Sequence, residues 1–164
     1  MFINFLRTNK IAMWLLTILR VYVGYTWLTA GWHKIVGGFD ASGFLKGAIA
    51  KSTGENPAVQ GWWASFLENV ALPGVNFFNI AVSFGEFLVG LGLILGAFTT
   101  FATLMAVLMN MSYLLSGTVS VNAQLLLMEF IILAAGANAG RIGLDYYILP
   151  YIRKLFGWKD PITS

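Results

Sequence analysis

Long apolar runs separated by short polar breaks occupy most of this chain, and their length predicts helices that cross a membrane. The first run covers about 11–35, the second about 74–98 after Pro73 and Gly74, the third about 100–115 and the fourth about 122–140. Roughly 20 apolar residues rising ~1.5 Å each match a hydrocarbon layer of ~30 Å. The breaks after the second and third runs are so short that successive helices must lie side by side and antiparallel. The predicted fold is therefore an all-α membrane protein, a single domain of four transmembrane helices in up-down order. The first run continues well past signal-peptide length and is expected to be a retained span. One long connection, about 36–72, forms an outer loop in which 42–51 and 57–70 have amphipathic helical character. Trp62, Trp63, Phe66 and Leu67 crowd the second of these, as in an interfacial helix with its tryptophans at headgroup level; a lid over the mouth of the bundle is the alternative.

Each run carries a strongly polar residue near its middle: Arg20, Glu86, Asn110 and Glu129. A centred charge costs roughly 2.5–3.5 kcal/mol on translocon scales, so such residues face other helices or water. Helical spacing places Arg20 on one face with Gly24, Trp27, Gly31 and Lys34, and Glu86 with Asn79, Ser83 and Gly90. Asn110 shares a face with Thr103, Ala106 and Tyr113, and Glu129 with Asn122, Leu133 and Gly136. Counting inward from the span ends puts the four polar residues at one depth, where they are expected to meet. One of the two carboxyls would then keep its proton at neutral pH for want of a second cation. The competing account is a cluster that only fixes helix register. Gly92 and Gly96 form a GxxxG pair, offering a close-packing face for a neighbouring helix or a second copy.

Composition sharpens the class. Hydrophobic residues make up 58% of the 164 residues and charged residues 10%, with a mean hydropathy of +0.75, far from soluble usage. Cysteine is absent and there is one histidine, which excludes a disulfide relay, a cysteine-ligated iron–sulfur cluster and bis-histidine haem ligation within one chain. Electrons for any redox reaction would have to come from a partner or a bound organic cofactor. No residue set suggests a metal. Arg7 and Lys10 precede the first span, and Arg141, Arg153, Lys154 and Lys159 follow the fourth, whereas Lys34, Lys46 and Lys51 in the loop region are matched by Asp40, Glu55 and Glu68. Both termini are therefore expected in the cytoplasm. The pI of about 9.3 reflects this topology and does not call for nucleic acid.

Arg20, Gly24, Gly31 and Lys34 on one face, Glu86 followed by Gly90 and Gly96, and the closing run Gly140-Arg141-Ile142-Gly143-Leu144-Asp145 together resemble the DoxX family of small bacterial membrane proteins. The resemblance implies a four-helix fold in the cytoplasmic membrane, related to the DoxD subunit of thiosulfate:quinone oxidoreductase and associated with redox or oxidative-stress partners.

The leading expectation is a membrane subunit of a quinone-linked oxidoreductase. Glu86 and Glu129 would supply protons as catalytic residues, and Arg20, Trp27, Asn110, Tyr113, His33 and Lys34 would hold the quinone. His33 has a simpler account as a solvated interfacial residue, and Arg141 and Asp145, at i and i+4, as a local ion pair or cap. Two other classes remain: a solute or proton transporter acting as a homo-oligomer, and an accessory subunit that assembles a larger complex in the bilayer.

Overall fold

The computed structural model describes residues 1–157; Lys159, one of the basic residues used for the orientation, lies outside the described residues. All regular structure among the described residues is helical. The order is α1 (Phe2–Thr8), α2 (Lys10–Gly37), α3 (Ser42–Ala50), α4 (Gly61–Phe66, running on through a π turn, Leu67–Ala71), α5 (Val75–Leu95), α6 (Thr99–Leu115), α7 (Asn122–Ala135), α8 (Ala137–Gly140) and α9 (Asp145–Phe156). α2 and α5 are long and apolar enough to cross a membrane, and α6 and α7 are shorter apolar helices.

Local chemistry sets the boundaries. Asn9 stands extended between α1 and α2, and its Oδ1 accepts from the backbone N of Ile11 (2.7 Å) and Ala12 (3.3 Å), capping α2. α5 stops at Leu95, short of the expected end, because Gly96 takes up a left-handed conformation (φ 63°) that closes the helix. The expected fourth span is interrupted: Gly136, at φ 57° and ψ −132°, separates α7 from the single turn of α8. α1 and α9 were not anticipated by the apolar pattern.

α2 packs against α5 and α7, and α6 packs against the same two, so the four helices close into a ring. Glycine makes the α2–α5 seam possible. A Cβ at Gly24 would meet Gly90 O, Ile94 N and Leu93, and one at Gly31 would collide with backbone atoms of Ser83 and Phe87. Gly85 and Gly92 face Met109 and Ala102 of α6. The expected GxxxG face is thus corrected: Gly96 is a helix cap, and the small residues of α5 are used up within the chain, where they let neighbouring helices approach.

The distribution of polarity is the reverse of a soluble protein. Arg20, Glu86, Glu129, Asn110, Thr99 and Thr103 are among the most deeply buried side chains. Trp14, Ile18, Tyr22, Phe77, Phe84, Phe101 and Leu127 are exposed. An apolar exterior with polar groups inside suits a hydrocarbon solvent.

The loop between α2 and α5 folds over one end of the ring on its own small core of Ala41, Leu45, Ala48, Leu67 and Ala71. Two bonds pin it to the α6–α7 connection: Lys51 Nζ donates to Gly117 O (3.0 Å) and Trp63 Nε1 to Ser116 Oγ (2.9 Å). Trp62 is exposed, whereas Trp63 is half-buried against that connection. At the start of the loop, the backbone N–H of Ser42 and then its hydroxyl hold the exposed Asp40 carboxyl below the usual carboxylate range.

Candidate functional site

Arg20, Trp27 and Lys34 sit seven residues apart on the inner face of α2, which separates them by ~10 Å per step along the axis. Each heads a different polar tier.

At the end of the ring that carries α1 and α9, Arg20 Nη2 donates to Ile142 O (2.7 Å). Its Nη1 lies where any Cβ at Gly96 or Gly143 would stand, so two glycines make the slot for the guanidinium. Asp145 closes this tier. Its Oδ1 accepts from Phe98 N (2.6 Å) and its Oδ2 from Thr99 N (2.9 Å), capping α6 and holding Phe98 at φ 50°. Leu144 N and Asp145 N donate to Leu95 O (3.0 Å) and Gly96 O (2.7 Å). The closing glycine-rich run is therefore a clamp on the α5–α6 turn. The expected Arg141–Asp145 pairing does not occur, because the Asp145 carboxylate is committed to backbone groups far away in sequence.

In the middle tier, Glu129 Oε1 accepts from Trp27 Nε1 (2.8 Å) and Asn110 Nδ2 (2.8 Å), and Oε2 from Asn110 Nδ2 (2.9 Å). All three residues are buried. Among the described residues Asn110 Oδ1 has no partner, which yields a prediction. Glu129→Gln can turn the Asn110 amide so that Oδ1 accepts from the new side-chain NH2, and stability should fall by less than about 1 kcal/mol. Glu129→Leu leaves Trp27 Nε1 and Asn110 Nδ2 unpaired and should cost about 2–4 kcal/mol; reversible unfolding in detergent separates the two.

In the third tier, beneath the loop, Lys34 Nζ pairs with Glu86 Oε2 and Tyr113 OH donates to Glu86 Oε1 (2.5 Å). Glu86 is 1% and Lys34 23% exposed. Lys34 Nζ also lies 5.4 Å from the Phe39 ring centroid and 5.7 Å from that of Tyr113, a cation–π arrangement. A cavity of about 270 Å³ reaches this tier, lined by Trp27, Lys34, Phe39, Phe44, Glu86 and Tyr113 among others. Phe39, Phe44 and Tyr113 also border a second, apolar cavity of about 270 Å³ beneath the loop.

The single four-residue cluster expected from the sequence does not form. Asn110 meets Glu129, but Glu86 meets Lys34 and Tyr113, and Arg20 meets neither carboxylate. The reason is stagger and lean. α2 begins ~15 Å before the level of Arg20, and Arg20 lies opposite Gly96, the very end of α5, rather than opposite Glu86. Helical side chains then lean toward their own N-terminus. On antiparallel helices Arg20 and Glu86 lean apart, while Lys34 leans back toward Glu86 and Asn110 toward Glu129. His33 is exposed on the outside of α2 and does not join the site. Phe39 and Phe44, apolar loop residues, escaped the sequence reading; Asp145 is a cap as one of its two local readings has it, but for α6, through partners 46 and 47 residues away.

The family model described as DoxX matches residues 15–123. The chain belongs to the DoxX family. It is accordingly a small membrane protein, in keeping with its apolar exterior. The match takes in Arg20, Trp27, Lys34, Glu86, Asn110 and Tyr113, whereas Glu129 and the clamp at Gly140–Asp145 of this DoxX chain lie beyond it. Comparison with curated proteins and with solved structures returns no match.

Proposed function

We propose that this DoxX-family chain is a quinone-interacting membrane subunit of a redox system, with α2, α5, α6 and the α7–α8 segment as its four spans and both termini in the cytoplasm. The observation that supports it is the Lys34–Glu86–Tyr113 triad opening on a cavity continuous in its lining with a second, apolar one. Lys34 keeps N–H donors beyond the one given to Glu86 and suits a quinone carbonyl, the single O–H of Tyr113 would turn from Glu86 to a carbonyl once Glu86 takes up a proton, and Phe39, Phe44 and Trp27 suit a flat ring. Reduction of a quinone consumes two electrons and two protons; Lys34, Tyr113 and Glu86 would carry the protons, and a partner protein would supply the electrons. Arg20 and His33 drop out of this reading, and Glu129 and Asn110 support Trp27 from behind.

The accessory-subunit reading draws support from the Glu129 and Asp145 carboxyls, whose oxygens all accept hydrogen bonds from within the chain. The transporter reading has less to draw on, since the glycines that would have mediated self-association are internal. Purified protein titrated with a short-chain benzoquinone, followed by tryptophan fluorescence, tests the proposal. Tyr113→Phe and Lys34→Met should each weaken binding about tenfold, with Glu129→Gln nearly unchanged. Equal affinities in all four proteins, or no binding, would sink the quinone reading.

A further inference from the structure

A separate cavity of about 600 Å³ opens at the end that carries α1 and α9, far from the loop-end triad, and its lining includes Arg7, Asn138, Arg141, Asp145 and Arg153. We propose that it is a binding site for the headgroup of an anionic phospholipid, with the phosphate between Arg7 and Arg141.

Charge is the first ground. Among the described residues Arg7 is anchored through its Nε alone, which donates to Ala134 O (2.9 Å), so that both Nη groups can turn to a phosphate. Arg141 is exposed, and among the described residues its side chain has no hydrogen bond or ion pair. The acidic residue of the lining, Asp145, has both carboxylate oxygens committed to Phe98 N and Thr99 N. A phosphate meets donors here, while among the described residues of the lining the ammonium of a zwitterionic headgroup meets no available carboxylate. The site therefore favours lipids with net negative charge over those with choline or ethanolamine.

Surroundings select a lipid over a soluble phosphate. The helices flanking the cavity carry apolar and aromatic side chains on the surface: Phe2, Ile3 and Phe5 on α1, and Tyr146, Tyr147 and Leu155 on α9. Arg153 and Lys154 are basic residues in the last turn of α9. Aromatic and aliphatic groups beside cationic ones are the composition of a helix lying in the headgroup region. A soluble anion has no use for this apolar rim; acyl chains do. Asn138 builds the wall: Nδ2 donates to Leu6 O (2.7 Å) and Asn9 O (3.2 Å), fixing α1 against α8 and so holding Arg7 near Arg141.

The test uses the full-length protein, purified in detergent and stripped of lipid, then titrated with phosphatidylglycerol, phosphatidylcholine of the same acyl chains, or glycerol 3-phosphate, with native mass spectrometry as the readout. Phosphatidylglycerol should be retained at concentrations at least about tenfold lower than phosphatidylcholine. R7Q/R141Q should abolish that preference. R141Q alone, at an exposed side chain with no hydrogen bond or ion pair among the described residues, should reduce it and serves if the double variant does not fold. Equal retention of the two lipids, or an unchanged preference in R141Q, overturns the proposal. Binding of glycerol 3-phosphate as tight as that of phosphatidylglycerol overturns the lipid assignment in favour of a soluble anion.

Discussion

Gly90→Ala destabilises the protein by about 3 kcal/mol or more, lowering its unfolding temperature by roughly 6–12 °C. A single methyl group there overlaps Leu28 N, Leu28 Cα and Gly24 O, all backbone atoms of α2. No rotamer change relieves such a collision; α2 and α5 must separate, and the whole seam from Gly24 to Gly31 loosens with them. Gly37→Ala and Gly43→Ala make suitable controls, because a Cβ at either position meets nothing within 4 Å. Their effects should stay within about 0.5 kcal/mol. Thermal unfolding in detergent monitored by circular dichroism measures all three. A Gly90→Ala protein as stable as the controls would mean that the helices do not pack at this distance.

The second large effect is electrostatic. Glu86→Leu leaves Lys34 with an ammonium facing Phe39, Tyr113 and a largely apolar cavity, and removing one partner of a buried pair costs about 3–5 kcal/mol. Adding Lys34→Met to the same protein removes the stranded charge and should recover most of that loss. The recovery is what identifies the pair as the cause, since the Tyr113 hydroxyl loses its acceptor in both proteins. If the double variant is as unstable as Glu86→Leu alone, the ion pair is not what holds this tier. If the proposed quinone site is right, benzoquinone binding should disappear from both variants, so stability and binding report on different properties of the same three side chains.

These two predictions also show where pattern reading succeeds and where it stops. Spacing alone places Gly24, Gly31, Gly90, Arg20, Ser83 and Glu86 on inward faces, and the structure puts them there. Helical period is a local property, fixed by the backbone, so the face of a residue is legible from its neighbours in sequence. Partners are not local. Arg20 finds Ile142, 122 residues away, because the α5–α6 turn is set against the middle of α2. Asp145 caps α6 because the chain after α8 folds back over that turn. The i, i+4 pairing of Asp145 with Arg141 was a sound local guess displaced by a tertiary one, for two backbone N–H groups at a helix start bind a carboxylate better than one exposed arginine.

By itself the sequence determined that the chain is helical, that apolar residues cover its outside, that it belongs among small membrane proteins, and which residues turn inward. The tertiary structure alone decided that the inward polar groups divide into three tiers, that the triad beneath the loop is Lys34, Glu86 and Tyr113, and that Arg20 serves the opposite end. Periodicity fixes direction around a helix axis, whereas the stagger of one helix against the next, and the lean of each side chain toward its own N-terminus, fix position along it. Stagger depends on where glycines allow close approach and where turns close, and these are contacts between segments distant in the chain.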